Sequence, residues 1–444
     1  MTLRSAMLAC ALLLGACQGG SSTQVPRSAL FADAVGHLGT QNVAGPTATS
    51  STPFFQDLGS NGRHCDTCHP PATAWTLTPA DLQSRFAASH GTDPVFRPVD
   101  GSGCPTQDTR TLGARRSAYA LLLKRALIRI ELPVPKDAEF TVSHVDNPYG
   151  CSDTQAVSVY RRPLPATNLS FLSMVMWDGR ESTDGESLAD DLAHQSLDAT
   201  NGHAQAKTPP TLQQQSDIVR FETALYSAQQ DVDQAGELGG ECEGGPQKLS
   251  ATPFYPGIND AFGRDPSGAP FNFRVFALYG YWLSDPNPAR SAIARGEALF
   301  NSRPMSITGV AGLNDVMGQP LIVGTCGTCH DTPNVGNQSL PMPMNIGIAT
   351  QTADADLPLL TLVNKVTGES VVVSDPGRAL ISGKWADIGA FKSPTLRGLA
   401  ARPPYFHDGS AATLADVVSF YDGRFNMQLT AREKADLAAF LAAL

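Results

Sequence analysis

Gly324-Thr325-Cys326-Gly327-Thr328-Cys329-His330 decides how the rest of the chain is read, and Cys65-Asp66-Thr67-Cys68-His69 repeats its pattern. Both are C-x-x-C-H. Two thiols three residues apart on one helical turn can each add to a vinyl group of haem. A histidine directly after them then reaches the iron as proximal ligand. A bare C-x-x-C also suits a redox dithiol or half a zinc site, but the adjoining histidine argues against both. The two copies predict two covalently bound c-type haems, attached at Cys65, Cys68, Cys326 and Cys329, with His69 and His330 as iron ligands.

The chain around these motifs has 444 residues, 42% hydrophobic and 17% charged, an ordinary globular composition with room for roughly two or three domains. Net charge is −10 and basic runs are absent, which excludes a nucleic-acid footprint. Such acidity suits encounter with a basic electron donor. The start of the chain reads as an export leader: Arg4, an apolar run over 6–16, then Leu14-Gly15-Ala16-Cys17, which resembles a bacterial lipobox. Residues 1–17 are therefore expected to be a signal peptide. Cys17 would become a lipidated N-terminus that anchors a periplasmic protein to the membrane. Residues 18–52, rich in Gly, Ser, Thr and Pro, read as a flexible tether. Of Cys104, Cys151 and Cys242, the pair favoured in an oxidising compartment is Cys104 with Cys151, both in Gly-rich turns, although spacing alone fixes no pairing.

Periodicity predicts helices over 78–86 with Thr78 as N-cap, over 112–130, 187–196, 211–228 and 289–300, and after the capping box Thr430-Ala431-Arg432-Glu433. Short strands are predicted at 139–145, 156–161, 359–363 and 370–373. A helix, C-x-x-C-H, a loop and a terminal apolar helix is the order a cytochrome c domain needs to wrap a haem. The expected fold is mainly α: two tandem cytochrome c-like haem domains with loop-rich insertions. The N-terminal domain spans 53–287 with an insertion at about 92–165, and the C-terminal domain spans 288–444.

Four segments carry a wider resemblance: both C-x-x-C-H sites, Trp177-Asp178-Gly179-Arg180, and Phe391-Lys-Ser-Pro-Thr-Leu-Arg397 continuing to Pro404-Tyr-Phe-His407-Asp-Gly409. In this order the chain resembles the bacterial di-haem cytochrome c peroxidase superfamily, which includes the tryptophan-modifying enzyme MauG. The resemblance implies a peroxide site at the first haem, electron entry at the second, and Trp177 between them. It implies hydrogen peroxide as substrate and a small donor protein, a cytochrome c or cupredoxin. Members use a Met or a Tyr as distal ligand of the second haem, and Tyr421 falls at that position, with Met342, Met344 and Met427 as rivals. For distal acid/base work at the first haem, Gln195 and His203 match best, His194 is an alternative, and His90 is a candidate switchable ligand. The family often holds Ca²⁺ between domains through an Asn and carbonyls near Pro404. Arg162 stands where that Asn belongs, a departure that counts against Ca²⁺. Besides peroxide reduction, a MauG-like oxidase acting on a protein or organic substrate, and a non-catalytic di-haem electron-transfer protein, both suit the same motifs.

Overall fold

The computed structural model describes residues 23–240, 242–350 and 354–444, so the leader with Cys17 lies outside the described residues. Strand is more abundant than the sequence suggests. Helix makes up 29% of the described residues and strand 17%, spread over several small sheets, so the fold is not mainly α. The excess strand has identifiable sources. Helix 112–130 is instead two short helices, Leu112–Ala118 and Ala120–Arg125, stopped at Ala126 in the left-handed region (φ 54°) and followed by the strand Ile128–Pro133. Likewise the helix expected over 211–228 ends as Leu212–Thr223, and the chain continues as the strand Leu225–Val232. In both cases a short apolar run after a helix has no period long enough to tell strand from helix.

The same strand Leu225–Val232 accounts for the stretch expected to be a tether. Ser28–Ala32, Gly36–Asn42, Leu225–Val232 and Gly236–Glu237 form an antiparallel sheet in that order. Gly36–Asn42 is paired on both edges, and its Leu38 is fully buried. Gly and Thr content marks a linker only when no partner strand exists to satisfy the backbone, and here one lies about 190 residues downstream.

The insertion does not decorate one half alone. Its strand Phe140–Asp146 pairs with Leu359–Asn364 of the second half, which pairs in turn with Ser370–Val373. Phe140, Val142, Leu360, Leu362 and Val373 close a core that both halves build. The disulfide Cys104–Cys151 forms and staples this region.

In the second half, Pro288–Ser302 and Ala431–Ala442 cross closely, with Phe300, Leu437, Phe440 and Leu441 between them. Gly296 permits the crossing, since a Cβ there would collide with the Asp436 carbonyl. Arg295 then grips the Asp436 carboxylate at 2.7 and 2.8 Å. No helix among the described residues is long and apolar enough to cross a membrane.

Candidate haem centres

Each C-x-x-C-H forms a single 3-10 turn, Cys65–Thr67 or Cys326–Thr328, with the histidine amide bonded back to the first cysteine carbonyl (3.0 and 3.1 Å). Thr67 and Thr328 close the turns by side-chain bonds to the amides of His64 and Thr325. Both cysteines of each motif are half-buried thiols at the edge of a cavity. The two cavities are nearly equal, about 1480 Å³ at the first motif and about 1540 Å³ at the second, mouths included, and both walls are mostly apolar.

Hydrogen bonding fixes the tautomer of both histidines. Nδ1 of His69 lies 2.8 Å from the Trp75 carbonyl and Nδ1 of His330 lies 2.6 Å from the Gly336 carbonyl. A carbonyl only accepts, so Nδ1 carries the proton and Nε2 keeps its lone pair for a metal. Burial reinforces this, lowering His69 and bringing His330 down to about 4, so both stay neutral. Burial also pushes the Cys68 thiol up to about 11 and Cys326 and Cys329 up to about 12, the opposite of the lowered pKa a redox dithiol needs. Neither motif belongs to a group of three metal-ligating side chains among the described residues, which removes the zinc alternative. Paired thiols and a lone-pair imidazole on one apolar cavity are the donor set covalent haem requires.

In the first cavity, Gln195 and His203 lie two turns apart along the helix Leu188–Gly202 and its C-cap, and both face the space beside Cys65 and His69. His203 Nδ1 is 2.6 Å from Asp100, and Arg63 lies 2.7 Å from the same carboxylate. Burial alone would raise the Asp100 carboxyl, but Arg63 and the His203 hydrogen bond hold it below its usual value. Asp100 thus accepts from Nδ1 and leaves Nε2 of His203 for the cavity. His194 points away, largely exposed and 2.7 Å from Glu181. His90 is the exposed left-handed cap of the helix Pro79–Ser89 and does not line the cavity.

Tyr421 faces the second cavity with Met344 and Met427. Its hydroxyl has no hydrogen-bond partner among the described residues. Burial, then the nearby Cys329 and Cys326 sulfurs, push its phenol above the normal range. Met342 is turned aside, its sulfur accepting from Arg264 Nη2 at 2.8 Å. Trp177 lines the second cavity only, its Nε1 donating to the Arg162 carbonyl at 2.8 Å. The wall common to both cavities is made instead by Pro163, Leu164, Pro165, Lys392, Pro394 and Arg402. Trp177 adjoins that wall through its carbonyl, which accepts from the Lys392 amide at 2.9 Å. Arg162 donates to the carbonyls of Arg125, Leu77 and Arg402 at 2.9, 3.0 and 3.2 Å, supplying a fixed cation to a carbonyl cluster of the kind Ca²⁺ uses.

Two site residues carried weak sequence signals. Glu222 lines the first cavity, and burial without a partner raises it to about 8. It is an acid on the face of Leu212–Thr223 that also buries Ile218, a mismatch visible in the sequence. Asp100 sits in a Pro-Val-Asp-Gly turn of the insertion, and nothing local ties it to a histidine about 100 residues away.

No family model matches the chain. Among curated proteins it is similar to the cytochrome-c peroxidase IdrP1 of Pseudomonas sp. (strain SCT), 27% identical over 220 residues, 43% of this chain and 50% of the relative. IdrP1 of Denitromonas iodatirespirans is 30% identical over 184 residues (37% and 43%). Cytochrome c551 peroxidase of Nitrosomonas europaea is 43% identical over 70 residues (15% and 21%). The chain spans about half the length of the IdrP relatives it matches. A solved MauG-like protein associated with microbial copper homeostasis aligns over 88% of this chain and 85% of its own, at 16% identity and a TM-score of 0.39. The named relatives bear out the resemblance to cytochrome c peroxidases drawn from the motifs.

Proposed function

We propose that this chain is a di-haem c-type peroxidase that reduces hydrogen peroxide at the first centre with electrons entering at the second. One observation carries the proposal: two nearly equal apolar cavities, each with paired thiols and an imidazole whose Nε2 is free, differ in the other polar groups that line them. The first offers Gln195 and His203, which suit proton transfer, and the second offers Tyr421, which suits iron ligation. Haem bound in these cavities would supply iron, able to exchange electrons and, where a coordination position stays open, to take peroxide. His203 would take one proton from hydrogen peroxide and return it to the oxygen that leaves as water when the O–O bond breaks, while Asp100 holds its Nδ1–H and steadies the imidazolium; two electrons from the donor and two protons from solvent convert the other oxygen to a second water. Gln195 orients the peroxide by hydrogen bonding. A small redox protein, a cytochrome c or cupredoxin, would supply the electrons, and Trp177, on the second cavity beside the shared wall, would relay them toward the first centre. The leader and Cys17 further suggest a periplasmic, lipid-anchored protein; Cys17→Ala should move it from membranes to the soluble fraction.

Peroxide-dependent oxidation of reduced cytochrome c tests the activity, and loss of turnover in His203→Gln is expected with it. Tyr421 favours a second reading, a MauG-like oxidase of a protein or organic substrate. Peroxide reactivity without cytochrome c turnover would support it. Inertness toward peroxide would leave an electron-transfer protein.

A further inference from the structure

The wall between the two cavities carries uncompensated positive charge. Other buried cations meet a carboxylate or a full set of carbonyls: Arg161 pairs with Asp178 at 2.5 Å and Asp375 at 2.7 Å, Arg63 pairs with Asp100 at 2.7 Å, and Arg162 donates to three carbonyls. The cations at the wall do not. Lys392 and Arg402 line both cavities and Arg397 lines the first. No carboxylate among the described residues forms an ion pair with any of the three. Lys392, 7% exposed, has three N–H donors and gives one to the Met174 carbonyl at 2.7 Å. Arg397, 2% exposed, gives Nε to the Asn334 carbonyl at 2.7 Å and leaves Nη1 and Nη2 buried without partners. Arg402 gives Nη2 to the Thr395 carbonyl at 2.6 Å, with a longer contact to the Arg397 carbonyl at 3.4 Å, and leaves Nε unpartnered.

Guanidinium groups stay charged even when buried, and an unpaired buried cation is strongly unfavourable. Burial accordingly pulls Lys392 down to about 7. Donors left open toward an otherwise apolar cavity call for anionic oxygen from whatever fills it. A haem brings such oxygen in its propionate carboxylates, at the edge of the ring away from the metal.

We propose that Lys392, Arg397 and Arg402 bind the carboxylates of both haems, with Lys392 and Arg402 shared between the centres and Arg397 serving the first alone. This rests on the two-haem assignment above. It makes the wall an electrostatic junction. The same two cations stabilise the reduced, less positive state of either iron, so both potentials depend on them, whereas Arg397 acts on one.

Redox titration of holoprotein tests this, with haem content measured on each sample by pyridine haemochrome. Lys392→Gln and Arg402→Gln, neutral and similar in shape, should each lower both midpoint potentials while two haems stay attached. Lys392→Arg should return both to wild-type values, and Arg397→Gln should lower only that of the first centre. If Lys392→Gln does not hold two haems, Arg402→Gln gives the same comparison from the half-exposed member. Unchanged potentials in a neutral variant holding two haems overturn the proposal. So does a shift of one centre alone in that variant, or a Lys392→Arg shift as large as that of Lys392→Gln. A wild type with fewer than two haems overturns the haem assignment itself, and that result is read before any potential is measured.

Discussion

Glu222 makes stability depend on pH in a direction opposite to most carboxylates. Its carboxyl is 6% exposed in the first cavity, and burial raises it from 4.5 to about 8. The unfolded chain releases this proton near pH 4.5 and the folded chain keeps it until about pH 8. The folded state therefore binds more protons between these values, and stability falls as pH rises through the window. At about 1.36 kcal/mol per pKa unit, the difference reaches roughly 5 kcal/mol above the folded pKa. Between pH 5 and pH 8 the loss grows from about 1 to about 4 kcal/mol on the same linkage. Glu222→Gln keeps the shape and removes the titration. Urea unfolding at both pH values, followed by tryptophan fluorescence, should find the variant more stable, by about 3 kcal/mol more at pH 8 than at pH 5. An equal gap at both pH values would refute the buried, unpartnered carboxyl.

Three further outcomes follow from the geometry. Tyr421→Phe removes only the oxygen and keeps the ring packed on Phe425; it should abolish the ferric low-spin signal of one haem and raise its potential, and unchanged spectra would bring Met344 and Met427 forward. Asp100→Asn keeps an acceptor oxygen but removes the carboxylate charge that steadies protonated His203, and should cut peroxide turnover by about 10²-fold, with haem content unchanged; wild-type turnover would show that the Asp100 charge plays no part in proton transfer. Cys151→Ser opens a loop of 47 residues and should cost about 4 kcal/mol of stability by chain entropy, read as a lower denaturation midpoint.

What could be read from the sequence was whatever depends on near neighbours. C-x-x-C-H specifies its own turn, the Thr78 and Thr430 caps fix their helices, and both lie where the sequence puts them. Gln195 and His203 come together because the helix runs Leu188–Gly202, past the end at 196 that the sequence predicts, and carries His203 as its C-cap. Long-range pairing stayed hidden. Gly36–Asn42 becomes a strand only because Leu225–Val232 reaches it, and Phe140–Asp146 finds its partner about 220 residues later. The acceptor Asp100 and the unpaired Lys392 and Arg397 have meaning only once two distant segments enclose a common space. Chemistry held within a turn is legible, and chemistry assembled across the fold is not.

The most direct test of the central claim is the number of covalent haems. Pyridine haemochrome quantitation and intact mass of the purified protein should give two c-type haems per chain, retained after acid–acetone extraction. One haem, or haem removed by that extraction, would contradict the account.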